Sequence, residues 1–188
     1  MALTTLDAKT ALIVVDLQRG VVALPTAPHS AGEIVERSVM LLDAFRRHGL
    51  PVVLVNVTAG APGRTDQGRH SADFPAGFAD LLPELKPQPS DHLVTKRTWG
   101  AFTNTDLASY LQRQGVTQVV LVGIATSIGV ESTARFASEA GLHVTLVVDA
   151  MTDLNAEAHT HSITRIFPRL GETGTTQEVL DLLERSRA

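Results

Sequence analysis

The sequence has no cysteine, which excludes disulfides and thiolate chemistry together. It has no apolar run near the roughly 20 residues that a membrane-spanning helix needs. Positive charge is in the minority, 16 Lys and Arg against 20 Asp and Glu, which argues against a nucleic-acid-binding face. The first residues show no basic stretch followed by an apolar one and a small-residue cleavage site, so a cytoplasmic protein is expected, without membrane or nucleic-acid partners. Aromatics are scarce, with one Trp, one Tyr and six Phe, so an aromatic beside a charged cluster carries information. The 188 residues are ordinary in their apolar and charged content and suit one domain spanning 1–188.

What is present is a set of short apolar runs rich in Val and Leu. They are "ALIVVD" (11–16), "PVVLVNV" (51–57), "HLVT" (92–95), "QVVLVG" (118–123) and "HVTLVVD" (143–149). None alternates apolar with polar, as expected of strands buried on both faces of a parallel sheet. Helical patterns lie between them. The segment 31–49 puts Ile34, Val35, Val39, Leu42 and Phe45 on one face and stops at Gly49. Segments 104–115 and 127–141 also end in glycine, and the second turns Val130, Ala134 and Ala137 inward. Two further helical patterns, at 155–171 and 175–187, close the chain. Strands alternating with helices predict an α/β protein, a three-layer α/β/α Rossmann-like fold with a central parallel sheet of five to six strands. The stretch from Thr58 to Asp91 breaks this rhythm. It is rich in Gly and Pro and holds Arg64, Arg69 and His70, and a connection of that length is usually functional or disordered.

Ligands of open parallel sheets bind beyond the carboxyl ends of the strands. There the first strand delivers Asp16, followed by Gln18 and Arg19. The second delivers Asn56 and Thr58, and the third Lys96, followed by Arg97, Trp99 and Phe102. The fourth delivers Ala125-Thr126-Ser127, and the fifth Asp149. A carboxylate at the end of a buried strand has its pKa raised by desolvation and lowered by a nearby cation. Asp16 is therefore either a proton-transferring group or a residue that fixes a turn. Lys96 is either a surface lysine or a charge walled by Trp99 and Phe102. At the fourth corner Ser127 is a candidate N-cap, which leaves the amides of Ile128, Gly129 and Val130 for an anion or oxyanion, or simply starts a helix. No dinucleotide or phosphate-loop glycine pattern is present, and His159 and His161 point to different faces of one helix. Neither a metal nor a cofactor is expected.

Three pieces, "ALIVVDLQ", "LVTKRTWGAFTNTDL" and "VGIATSIGVESTAR", stand in an order and at separations that resemble the isochorismatase-like hydrolases. That family includes isochorismatases, nicotinamidases and N-carbamoyl amidohydrolases. The resemblance covers essentially the whole chain. It implies a catalytic Asp at Asp16, a Lys at Lys96, and Gly129 where most relatives carry the nucleophilic Cys. It also implies a cis peptide at Ile124–Ala125, and substrate contacts from Gln18, Trp99, Phe102, Ile124, Ala125, Ser127 and Ile128. Without sulfur there is no thioester route, and a glycine at this corner resembles the isochorismatase branch, which hydrolyses a vinyl ether by protonation from the Asp. The Gln that isochorismatases carry after the second strand falls on Gly60. Their Arg for substrate carboxylate falls on Arg69, with Arg64 the alternative. The expected substrate is a small, carboxylate-bearing molecule, and the expected assembly a homodimer or homotetramer.

Two other readings stay open. One is a small-molecule-binding or assembly protein of the same fold with reduced catalysis. The other is a serine hydrolase using Ser127, with Asp149 and His159 in the right chain order. A phosphatase or dehalogenase with Asp16 as nucleophile is disfavoured, because Gln18 stands where such enzymes usually have a second Asp.

Overall fold

The structure, a computed structural model, describes residues 3–66, 68–69 and 74–186, with the side chains of 68, 69 and 186 outside that description. β1 (Thr10–Val15) leads through a single helical turn, α1 (Arg19–Val22), to α2 (Ala31–Arg47) and β2 (Val52–Val57). The long connection carries a two-residue hairpin, β3 (Arg64–Thr65) with β4 (Gly68–Arg69), before β5 (His92–Lys96). Then come α3 (Leu107–Gln114), β6 (Gln118–Ile124), α4 (Glu131–Glu139) and β7 (His143–Thr152). α5 (Ala156–His161), α6 (Phe167–Leu170), β8 (Glu172–Gly174) and α7 (Thr176–Ser186) close the described chain.

β1, β2, β5, β6, β7 and β8 form one sheet in the order β5-β2-β1-β6-β7-β8, with every pairing parallel. The continuous apolar runs are explained by cover on both faces. Leu12 and Val14 of β1 point to one side, into a core with Ile34, Leu41 and Phe45 of α2 and Val179 and Leu183 of α7. Ala11, Ile13 and Val15 point to the other side, toward Leu107 and Leu111 of α3, Ala134 and Ala137 of α4, and Phe167 of α6. α2 opens on a capping box in which the Ser30 hydroxyl and the Glu33 carboxylate each accept from the other's backbone amide.

Two elements differ from the sequence expectation. β7 runs three residues beyond "HVTLVVD", because the Asp149 carboxylate is satisfied in mid-strand. It accepts from the amide and hydroxyl of Thr176 at 2.7 and 3.0 Å, capping α7. β8 has only three residues, "ETG", too few to show a period.

The chain builds β1, β2 and β5 in one direction and β6, β7 and β8 in the other, so the order reverses between β1 and β6. A crevice opens at such a reversal, outside the carboxyl ends of the strands. Here β1 and β6 are drawn close. Gly123 of β6 pairs with Val15 at φ +124°, and a Cβ on it would stand 2.1 Å from the Val15 carbonyl oxygen. Only glycine fits there.

Candidate active site

The crevice collects groups from three strand ends. Asp16 follows β1 directly and takes a left-handed backbone conformation, φ +54°, which Asp tolerates better than most residues. Its amide donates to Val55 of β2 and its carbonyl accepts from Gln18, so the residue is pinned while the chain turns. Lys96 ends β5, two strands away, and its side chain is only 2% exposed. The two meet, with Nζ donating to Oδ2 of Asp16 at 2.7 Å. Nζ also donates to the carbonyls of Trp99 at 2.8 Å and Thr98 at 3.3 Å. An ammonium has three N–H bonds, so its donor capacity is filled.

Asp16 itself is buried, and its Oδ1 has no hydrogen-bond partner. Burial pushes its carboxyl up from 3.8 to about 6, against the opposing pull of the Lys96 charge and hydrogen bond. Desolvation therefore outweighs the ion pair, and the acid is half-protonated near pH 6, with roughly a tenth still protonated at pH 7.

The third contribution is the corner after β6. The Ile124–Ala125 peptide is cis, and residues Thr126–Val130 form one widened helical turn before α4. Such turns occur often at functional sites. The Ala125 carbonyl accepts from Ile128 at 3.1 Å and Val130 at 3.2 Å, so these two amides are occupied rather than held for an oxyanion. Ser127 is not the N-cap. It sits inside the turn, and its amide donates to Oδ2 of Asp153 at 2.6 Å. Gly129 faces the ion pair. A Cβ placed on it would lie 3.1 Å from Oδ2 of Asp16, 3.5 Å from Nζ of Lys96 and 3.0 Å from Cγ1 of Val15. Even a single carbon there would crowd the carboxyl, so the corner presents bare backbone to the ion pair.

A cleft of about 170 Å³ opens over these groups. Of the residues singled out from sequence, Asp16, Lys96, Trp99, Ile124, Ala125, Ile128 and Gly129 line it, and Gly60 lines it without a side chain. Others stand elsewhere. Gln18 is wholly buried and spends both ends of its amide on backbone, accepting from the Val57 amide at 2.7 Å and donating to the Val57 and Phe78 carbonyls. It ties β1 to the long connection and does not line the cleft. Phe102 packs against Phe136 with ring centroids 6.3 Å apart, away from the cleft. Arg64 is exposed on β3, and the side chain of Arg69 lies outside the described residues. The serine-hydrolase constellation does not assemble. Asp149 caps α7, and His159 pairs through Nδ1 with Thr126 Oγ1 at 2.8 Å rather than with Ser127. Burial and the neighbouring His29 both hold the His159 ring below its usual pKa.

Sequence reasoning missed the remaining walls, among them Val21, Leu24, Phe74, Phe78 and Leu154. A signal existed for two of them. Phe74 and Phe78 are a pair of aromatics four residues apart in a Gly/Pro-rich connection, and their rings pack at 4.5 Å, tilted by 38°. Asp153 was missed because β7 was expected to end at Asp149. Besides Ser127, Asp153 accepts from the amides of Leu154 and Asn155 through Oδ1. It thereby binds the corner after β6 to the end of β7.

This arrangement has known counterparts. A family model for the Isochorismatase domain matches residues 10–178. The isochorismatase family protein YwoC of Bacillus subtilis is 42% identical over 180 residues, covering 92% of this chain and 93% of that one. The isochorismatase family protein YecD of Escherichia coli O157:H7 is 41% identical, covering 95% and 98%. The structure of an isochorismatase family protein from Burkholderia thailandensis superposes with a TM-score of 0.91 at 42% identity, covering 96% of this chain and 98% of that one. The chain belongs to the isochorismatase family of hydrolases.

Proposed function

We propose that the chain hydrolyses a small molecule by proton transfer from Asp16, with no side-chain nucleophile at the corner, and that an enol (vinyl) ether is the substrate class that fits this site best. The carrying observation is the state of the Asp16 carboxyl. It is buried in the cleft wall, with a pKa of about 6 and one oxygen unclaimed. Oδ1 can take up a proton without displacing Lys96, which holds Oδ2. Transfer of that proton to the terminal carbon of an enol ether leaves an oxocarbenium ion. It also leaves an Asp16 carboxylate that Lys96 stabilises at 2.7 Å. Water adds to the oxocarbenium carbon and returns a proton to Asp16, and the hemiacetal collapses to a carbonyl compound and an alcohol. Gly129 puts no side chain between the ion pair and the cleft, where even one added carbon would press on the carboxyl.

The test is a turnover screen over vinyl ethers, amides, carbamoyl amines and esters, with Asp16→Asn as control. Turnover of vinyl ethers that is lost in Asp16→Asn supports the reading. Turnover confined to amides or esters, or turnover indifferent to Asp16→Asn, overturns it.

A further inference from the structure

The polar inventory of the cleft is short. Among the described lining residues the only charged side chains are Asp16 and Lys96, and they neutralise each other. All three N–H bonds of Lys96 are already engaged, so a substrate carboxylate gains no donor from it without breaking one of those bonds. A carboxylate brought against these described side chains is desolvated beside another carboxyl and gains no charged partner from them.

Apart from Thr98, the side chains of the rest of the described wall are apolar, and the wall is held in place. Phe78 closes one side, packed at a tilt against Phe74. Its carbonyl accepts from the Gly20 amide at 2.9 Å, and its ring lies where a Gly20 Cβ would be, 2.0 Å from that position. The absent side chain at residue 20 lets this ring lie against α1. At the mouth stand Leu24, Trp99 and Leu154, exposed by 41%, 56% and 45%. They are three of the six large apolar side chains exposed among the described residues, gathered at one opening. Apolar surface concentrated around a concave site marks a surface that a ligand covers.

We infer that the substrate is an uncharged molecule with a flat apolar body, an aryl enol ether, whose ring lies among Phe78, Trp99 and Leu154 while its reactive carbon meets Asp16 beside Gly129. This departs from the carboxylate-bearing substrate that the family resemblance suggests. It rests on the enol-ether reading for the reactive group and on the cleft alone for the body and charge. The volume sets a size limit, since about 170 Å³ is below the roughly 300 Å³ at which pockets for drug-sized ligands begin.

Trp99 is the only tryptophan in the chain, so its fluorescence reports occupancy directly. The probes are ethyl phenyl ether, which is uncharged and unreactive, and 4-ethoxybenzoate, the same body carrying a carboxylate. Their reactive partners are phenyl vinyl ether and 4-(vinyloxy)benzoate. Ethyl phenyl ether is expected to shift Trp99 emission and to bind at least tenfold more tightly than 4-ethoxybenzoate. Leu154→Asp is expected to weaken ethyl phenyl ether at least fivefold. Tighter binding of the benzoate overturns the inference, and loss of that preference in Arg69→Gln would assign the carboxylate to that arginine. The two readings separate cleanly. Ethyl phenyl ether binding with no enol ether turned over sinks the proposed reaction and leaves the ligand class standing. Turnover of the carboxylated enol ether alone does the reverse.

Discussion

Lys96 donates to Asp16 across 2.7 Å from a strand two positions away in the sheet, and both side chains are almost entirely out of water. The ammonium holds the carboxyl pKa down against burial. Lys96→Met removes that pull while keeping the bulk. The pH above which turnover falls is then expected to rise from about 6 by at least about one unit, the usual effect of a cation at this distance. The pH profile of kcat measures it. An unmoved profile would mean that Lys96 does not tune Asp16.

The same shift makes stability depend on pH. Asp16 titrates near 6 in the folded protein and near the ordinary aspartate value of 3.8 when unfolded. Between those values the folded state holds a proton that the unfolded state has released. Stability from this group is therefore greatest below about 3.8, falls as pH rises through the window to 6, and is level above it. Urea unfolding of the wild type and Asp16→Asn, compared from pH 4 to pH 7, isolates the effect. The wild type is expected to lose stability relative to the variant as pH rises.

Gly129 is expected to tolerate a methyl group structurally but not functionally. The added Cβ lies 3.0 Å from Val15 Cγ1 and 3.1 Å from Asp16 Oδ2, so its neighbours must give by a few tenths of an ångström. Gly129→Ala should cost about 1–2 kcal/mol in chemical denaturation, the lower part of the range for a mild overpacking. It should also lower kcat at least about tenfold, because it presses on the acid and shifts it from its place. A variant with wild-type kcat would show that the reacting atom stands elsewhere.

Asp153 holds the corner after β6 through the Ser127 amide at 2.6 Å. Asp153→Ala leaves that amide and those of Leu154 and Asn155 without their acceptor, a loss of roughly 1.5–3 kcal/mol for a charged partner. Asp153→Asn keeps one acceptor oxygen and should recover part of the stability. A residue that positions the corner should also change kcat more than KM, in both variants and in proportion to the lost contact. Steady-state kinetics beside thermal unfolding separates this from a purely structural role.

The layered fold was legible because strands covered on both faces must be apolar throughout, as "ALIVV" and "VVLV" are. Asp16 and Lys96 were legible because a charge that ends such a run has nowhere to go but the crevice. The roles of Gln18 and Phe102 were not. Both stand close in sequence to residues that line the cleft, but Gln18 turns its amide to Val57 and Phe102 faces Phe136. Position after a strand does not fix side-chain direction once the chain turns, and Asp16 with its positive φ is such a turn. Asp149 misled for a related reason. A helix cap satisfies a carboxylate within a strand as well as a strand end does, so the end of β7 was placed three residues early.

The proton-donor assignment stands or falls on the Asp16 carboxyl. Its titration is read directly from the carboxyl carbon by NMR, with Asp16→Asn identifying the resonance. A midpoint near 6 is predicted. A midpoint at or below about 4, the value of an ordinary aspartate, would mean that the ion pair outweighs burial and that Asp16 holds no proton to give at neutral pH.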